Sequence, residues 1–135
     1  MTKQDVIDII KDTQYCILGT IEGGCPKIRP MSPYLTTDGE LLVALLPGVR
    51  TIKQIKENPM VELCYVDRRM NFCRLSGKAK IVDSLDKKTI LWDNIPSMKM
   101  YFAGPQDPNF TLMVVSINHV EAMSPHDMQP ETIKF

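Results

Sequence analysis

The sequence predicts a mainly β fold: a small closed barrel of six mostly antiparallel strands, with short helices at the start, in the middle and late in the chain. Three observations predict it. Apolar residues gather in short β-rich runs, among them YCILGTI (15–21), MVELCYV (60–66) and FTLMVVSI (110–117). Turn signals, Gly23-Gly24 and Asp38-Gly39, separate neighbouring runs. The segment FCRLSGKAKIV (72–82) alternates apolar and polar residues, as a strand with one wet face does. Tight turns join antiparallel neighbours, whereas a parallel sheet needs long crossovers.

The elements follow in order. Thr2 and Asp5 form a capping-box pattern, and Val6, Ile9 and Ile10 recur at helical spacing, so residues 3–12 read as an amphipathic helix. The first strand, 15–21, turns back at Gly23-Gly24 into a second strand over 25–37. Pro30 and Pro33 interrupt that second strand, which makes it an edge. After Asp38-Gly39, ELLVALL (40–46) is apolar enough to be buried on both faces. PGVRTIKQIKENP (47–59) is a short helix opened by a glycine turn and stopped at Asn58-Pro59. Strands 60–66 and 72–82 come next, then a helix over 84–94. Residues 95–109 hold three prolines and read as a loop with one helical turn. The run 110–117 is the last strong strand. We expect one domain over 1–124 and a loose, proline-marked tail over 125–135.

Composition narrows the function. The chain has 135 residues, 44% apolar and 24% charged, an ordinary globular balance for one domain. Sixteen basic residues face sixteen acidic ones. No global field therefore draws the chain to nucleic acid or to an anionic membrane, although a local anion site is compatible with this balance. No apolar run approaches a membrane span, and the first residues carry acids rather than a signal-peptide apolar block, so a cytoplasmic location is expected. Cys16, Cys25, Cys64 and Cys73 form no C-x-x-C pair, and His119 and His126 lack ligand spacing with them. Reduced structural thiols are expected, and no metal site.

Two stretches carry chemistry. In GVRTIK (48–53), a glycine turn runs into a helix N-terminus, where unpaired N–H groups carry partial positive charge. Arg50, Thr51 and Lys53 add cations where cations are unfavourable, a pattern that a bound phosphate monoester would compensate. Solvated surface charges are the alternative. In KIRPM (27–31), the prolines leave backbone groups for a ligand, and Arg29 adds a fixed fork of donors. A flat heteroaromatic ring with carbonyls and ring nitrogens would suit that backbone, with Met31 packing nearby. A proline-blunted edge strand with a solvated Arg29 is the alternative. Trp92 and His119 read as structural residues. Neither a Ser/His/Asp triad nor paired catalytic carboxylates are evident.

The order and spacing of five motifs resemble the FMN-binding split-barrel family, the pyridoxamine 5'-phosphate oxidase-like and general-stress-protein-like flavoproteins. The motifs are KIRPM, the Asp38-Gly39 hairpin, RTIKQIKENPMVELCYV, LSGKAKIVD and DPNFTLMVVSI. The resemblance implies a six-stranded antiparallel split β-barrel and a homodimer with FMN at the subunit interface. It assigns Arg29, Pro30, Met31 and Ser32 to the isoalloxazine and Arg50, Thr51 and Lys53 to the phosphate. Ala44 and Leu45 would line the ribityl and ring, and Asn71 and Phe72 would reach the flavin of the other subunit. It implies an oxidoreductase acting on a small molecule, with NAD(P)H or another donor. A non-catalytic flavin binder, sensor or electron carrier is the alternative, as is the same fold with deazaflavin or haem.

Three departures from the family pattern stand out. Tyr34 replaces a lysine of the oxidases proper. Glu121-Ala122-Met123 stands where an aromatic residue often covers the flavin. No arginine follows Arg74, whereas the oxidases use a C-terminal arginine and histidine to hold pyridoxamine phosphate. Pyridoxamine phosphate is therefore not the expected substrate.

Overall fold

A computed structural model describes residues 1–13 and 15–135. Helix α1 (Lys3–Asp12) opens with the expected capping box. The Asp5 N–H donates to Thr2 Oγ1 at 3.2 Å, and the Thr2 N–H donates to the Asp5 carboxylate at 2.6 Å. Strands β1 (Cys16–Glu22) and β2 (Cys25–Met31) pair through a two-residue turn in which Gly23 and Gly24 take φ of 57° and 76°. Only glycine adopts two such values in succession at no steric cost. Next come β3 (Tyr34–Leu35), β4 (Glu40–Leu45), α2 (Arg50–Glu57), β5 (Met60–Val66), β6 (Phe72–Val82) and α3 (Leu85–Asn94). A 3-10 turn over Pro96–Met100, β7 (Thr111–Met123) and β8 (Glu131–Thr132) complete the chain.

The strands form one antiparallel sheet in the order β2-β1-β5-β6-β7-β4-β3, with β8 added to β7. Four expectations change here. There are eight strands among the described residues rather than six, because the two-residue strands β3 and β8 carry too little pattern to read. The barrel is not closed: β2 and β3 are the two ends of the sheet and share no ladder. The single strand expected over 25–37 is two strands, parted at Ser32-Pro33, because proline brings no N–H to a ladder. The strand expected to stop at 117 runs on to Met123. In addition, part of the segment expected as a loose tail is tied down. Glu131 and Thr132 pair with β7, the Ile133 N–H donates to the Val120 carbonyl at 2.9 Å, and Ile133 is buried.

Two cores flank the sheet. The first packs Val6, Ile9 and Ile10 of α1 against Leu18, Leu63 and Leu75 on the inner face of β1, β5 and β6. The second packs Leu91 of α3, Met98, and Phe102 stacked on Phe110 against Leu42, Leu112 and Val114. Strands β4 and β7 lie between them, and Leu41, Leu42 and Val43 are all buried. The expectation that ELLVALL is covered on both faces therefore holds, and its physical reason is α3. Trp92 packs against the second core, as expected.

Candidate functional site

Helix α2 starts without a side-chain cap. Gly48, at φ 76°, turns the chain out of β4, and Val49 at the N-cap position has no side-chain oxygen, although its carbonyl accepts from the Ile52 N–H at 3.1 Å, so the Arg50 and Thr51 N–H groups are left uncapped. No acid lies in the first turn. Arg50 and Lys53 are exposed there. Lys53 meets Glu57 only at 3.9 Å across an exposed i,i+4 spacing, a contact worth little. Thr51 is buried, so its side chain faces the barrel rather than the solvent.

The second half of the site is joined to the first by Gln54, which is 3% exposed. Its Oε1 accepts from Arg29 Nη2 at 2.6 Å and from Thr20 Oγ1 at 2.6 Å, while its Nε2 donates to Glu22 Oε2 at 2.6 Å. These partners fix the orientation of the amide, since the guanidinium and the carboxylate each accept only one assignment. Arg29 Nη1 also donates to the Leu18 carbonyl at 3.3 Å. Burial lowers the Arg29 pKa from its ordinary value, and the nearby Glu22 charge opposes that shift. The guanidinium stays charged at any physiological pH. The network fastens β1 and β2 to α2, and so fixes the strand KIRPM relative to the basic helix end.

The other expected residues take several positions. Pro30 is exposed, Met31 is half-buried against the first core, and Ser32 is exposed where the chain passes from β2 to β3. Ala44 packs toward the second core and Leu45 toward the first. Asn71 and Phe72 sit at the far hairpin between β5 and β6. There the Asn71 amide donates to Asp67 at 2.9 Å and Arg74 lies over the Phe72 ring at 5.6 Å. No described hydrogen bond or ion pair connects that hairpin to Arg29 or to α2 within one chain. The structure thus ties Arg29 to the helix bearing Arg50, Thr51 and Lys53, while the register places Asn71 and Phe72 at the Met31 end of the sheet, across β1 and β5 from β2.

The sequence of the chain fits one family model over nearly its whole length: that of the pyridoxamine 5'-phosphate oxidase-like proteins matches residues 1–127. The chain belongs to the pyridoxamine 5'-phosphate oxidase-like family. Solved structures agree on the fold. A NimC/NimA family protein from Clostridium acetobutylicum superposes with a TM-score of 0.82 at 22% identity, covering 96% of this chain and 89% of that one. General Stress Protein 26 from Bacillus anthracis gives 0.80 at 23% identity, covering 96% and 97%. A pyridoxamine 5'-phosphate oxidase-related, FMN-binding protein from Nostoc punctiforme gives 0.75 at 14% identity, covering 96% and 87%. No match is found among curated proteins.

In this member of the family, sequence reading missed Gln54, Thr20 and Glu22. One signal was available. Gln54 falls on the same helical stripe as Thr51 and Ile55, so a polar residue stands where an amphipathic helix meets the core. A buried glutamine needs partners, and Arg29, Thr20 and Glu22 are those partners. Among the described residues there is no cluster able to hold a metal ion, and no helix is long and apolar enough to cross a membrane.

Proposed function

We propose that this protein is an FMN-binding flavoprotein, a homodimer with flavin at the subunit interface, acting as an FMN-dependent oxidoreductase on a small molecule. The observation that carries the reading is the uncapped N-terminus of α2 with exposed Arg50 and Lys53, held by Gln54 against the strand of Arg29. A phosphate monoester fits that end. It would accept from the free N–H groups and neutralise two cations that otherwise oppose the helix dipole. Membership of the family and the fold shared with the FMN-binding Nostoc protein support the same cofactor.

In this reading Arg50 and Lys53, with the backbone N–H of Thr51, hold the phosphate, and Arg29, Pro30, Met31 and Ser32 run along the ring. Ala44 and Leu45 form the wall behind it. Asn71 and Phe72, remote from this end in one chain, serve the second subunit's site. When bound, FMN supplies the hydride or electron chemistry. The residues of the chain bind it, orient it and keep water away from it. Exposed Ile17, Ile28 and Met60 on the outer face of the sheet support burial against a second copy. NAD(P)H is a suitable donor, and the cytoplasm the expected compartment.

The first test is the absorption spectrum of the purified protein, with mass spectrometry of whatever heating releases. Bound FMN is expected, and Arg50→Ala with Lys53→Ala should weaken its binding about tenfold or more. A colourless monomer that fails to take up added FMN would sink the proposal. Reduction of the bound flavin by NADH or NADPH then separates an oxidoreductase from a passive binder.

A further inference from the structure

The molecule has a second concavity that the flavin reading does not use. It encloses about 910 Å³ between α1, the passage Ser32–Gly39, residues Asn94–Ser97 and Phe135. That volume lies in the range of small-ligand sites. Of the residues proposed to hold FMN, only Ser32 borders it. Its origin is the open seam of the sheet. The chain crosses from one sheet edge to the other at Ser32-Pro33, and the proline brings no N–H with which to zip the edges together.

The charged side chains of the lining have one sign. Lys3 and Lys11 border the cleft, and no aspartate or glutamate does. The acids of α1 lie on another stripe of the helix. Asp5 is committed to the capping box, Asp8 accepts from Gln4 at 2.8 Å, and Asp12 falls beside Asp8 on the helical wheel. Neither lysine forms an ion pair with a described residue, although Lys3 stands over the Phe135 ring at 5.1 Å. The floor is apolar, with Ile7, Ile10, Leu35 and Ile95, and carries the Phe135 ring. Tyr15 and Tyr34 border it with their hydroxyls, whereas the Thr13 and Thr36 hydroxyls are engaged with the Ile9 and Ile10 carbonyls and with Asp38.

We infer that this cleft binds a small organic anion with a planar apolar body, an aromatic carboxylate. The lysines take the carboxylate, the apolar floor and the Phe135 ring take the aromatic body, and the Tyr15 and Tyr34 hydroxyls supply the remaining hydrogen bonds. Two lysines with no acidic side chain in the lining leave a positive potential that a counter-anion relieves, and a partly enclosed site strengthens that attraction. The inference does not depend on flavin, because the basic end of α2 and the Arg29–Gln54 network lie outside the cleft.

The test is a titration of the folded protein with sodium benzoate and sodium 1-naphthoate, read by amide shifts in nitrogen–proton correlation spectra, with benzamide as the uncharged control. It is run with and without added FMN. Saturable shifts are expected in α1, 32–36 and 94–97, in both conditions, with naphthoate tighter than benzoate and benzamide weakest. The Lys3→Gln/Lys11→Gln variant should weaken benzoate about tenfold, the worth of two partly screened charge contacts, and leave benzamide unchanged. Both lysines are exposed, so the variant should keep the parent's spectral dispersion. Equal binding of benzoate and benzamide would overturn the inference. So would shifts confined to α2, or affinity indifferent to the two lysines.

Discussion

Gln54 shows how much one side chain decides. Its amide accepts two hydrogen bonds and donates one, and each partner comes from a different position on β1 or β2. Removing it leaves Arg29 with only its 3.3 Å bond to the Leu18 carbonyl and the buried Thr20 with only a 3.5 Å contact to the Lys27 carbonyl, and unmade bonds of this kind cost more than made ones return. Gln54→Ala should therefore destabilise the fold by about 2 kcal/mol in urea denaturation. Arg29→Ala should cost a similar amount, and the double variant clearly less than the sum. Full additivity would mean that the two side chains do not work as a unit. Tyr65 presents the opposite case: its hydroxyl is buried beside the Cys16 thiol with no oxygen or nitrogen to bond among the described residues, and burial raises its pKa.

At the scale of elements, the pairing of β6 with β7 carries the most information. Ser76 opposes His119 and Gly77 opposes Ile117, so Asn118 is an extra residue, a bulge. The bulge inverts the facing of everything after it. Met113 and Val115 point to the first core before it, and Val120 and Ala122 point there after it. His119 and Glu121 are thereby turned to the outer face, where Glu121 accepts from Arg74 at 2.7 Å and lies 3.3 Å from His119. Gly77 permits the bulge, because a Cβ there would stand 2.1 Å from the Ser116 carbonyl oxygen. The obstacle is backbone, which cannot swing aside. Gly77→Ala should cost about 3 kcal/mol or more, read as a lower urea midpoint. An unchanged midpoint would show that the strand pair can shift its register freely.

The molecule as a whole should have a stability plateau bounded on both sides. On the acid side, Glu121, Asp5, Asp38 and Asp107 have folded pKa values below their ordinary ones. For Glu121 the main cause is the His119 contact. For Asp5 and Asp107 it is backbone N–H groups, and for Asp38 it is the Thr36 hydroxyl. A depressed carboxylate stabilises the fold above its unfolded pKa, and that contribution is lost as pH falls through the folded value. Stability should therefore decline as pH falls below the ordinary 4.5 for Glu and 3.8 for Asp. On the alkaline side, burial pushes the thiols of Cys16 and Cys73 from 9.0 up to about 12. Their contribution is whole below 9.0 and is lost as pH rises toward the folded value. Urea midpoints measured across pH should fall at both ends, and Cys16→Ala with Cys73→Ala should soften the alkaline fall. A midpoint flat on the acid side would contradict the hydrogen bonds to these carboxylates, and one flat on the alkaline side the burial of the two thiols.

By itself the sequence determined the local pieces and the family. The capping box, the Gly23-Gly24 turn, the alternation of 72–82 and the ends of β5 and β6 are all written in neighbouring residues, so local physics specifies them. The five motifs in order point to the pyridoxamine 5'-phosphate oxidase-like family, and the family match over residues 1–127 agrees. Tertiary structure alone decided three things. The sheet stays open at Ser32-Pro33, because closure depends on whether two edges far apart in the sheet can present ladders to one another. Residues 131–133 dock on β7, because an isolated Ile133 becomes a core residue only when Val120 lies opposite. Arg29 meets Gln54, because residues on a strand and a helix, 25 positions apart, acquire a shared address only when the chain has folded. Hydrophobic period and turn chemistry act over a few residues, whereas seams, docking and buried polar networks depend on pairs that the sequence keeps apart.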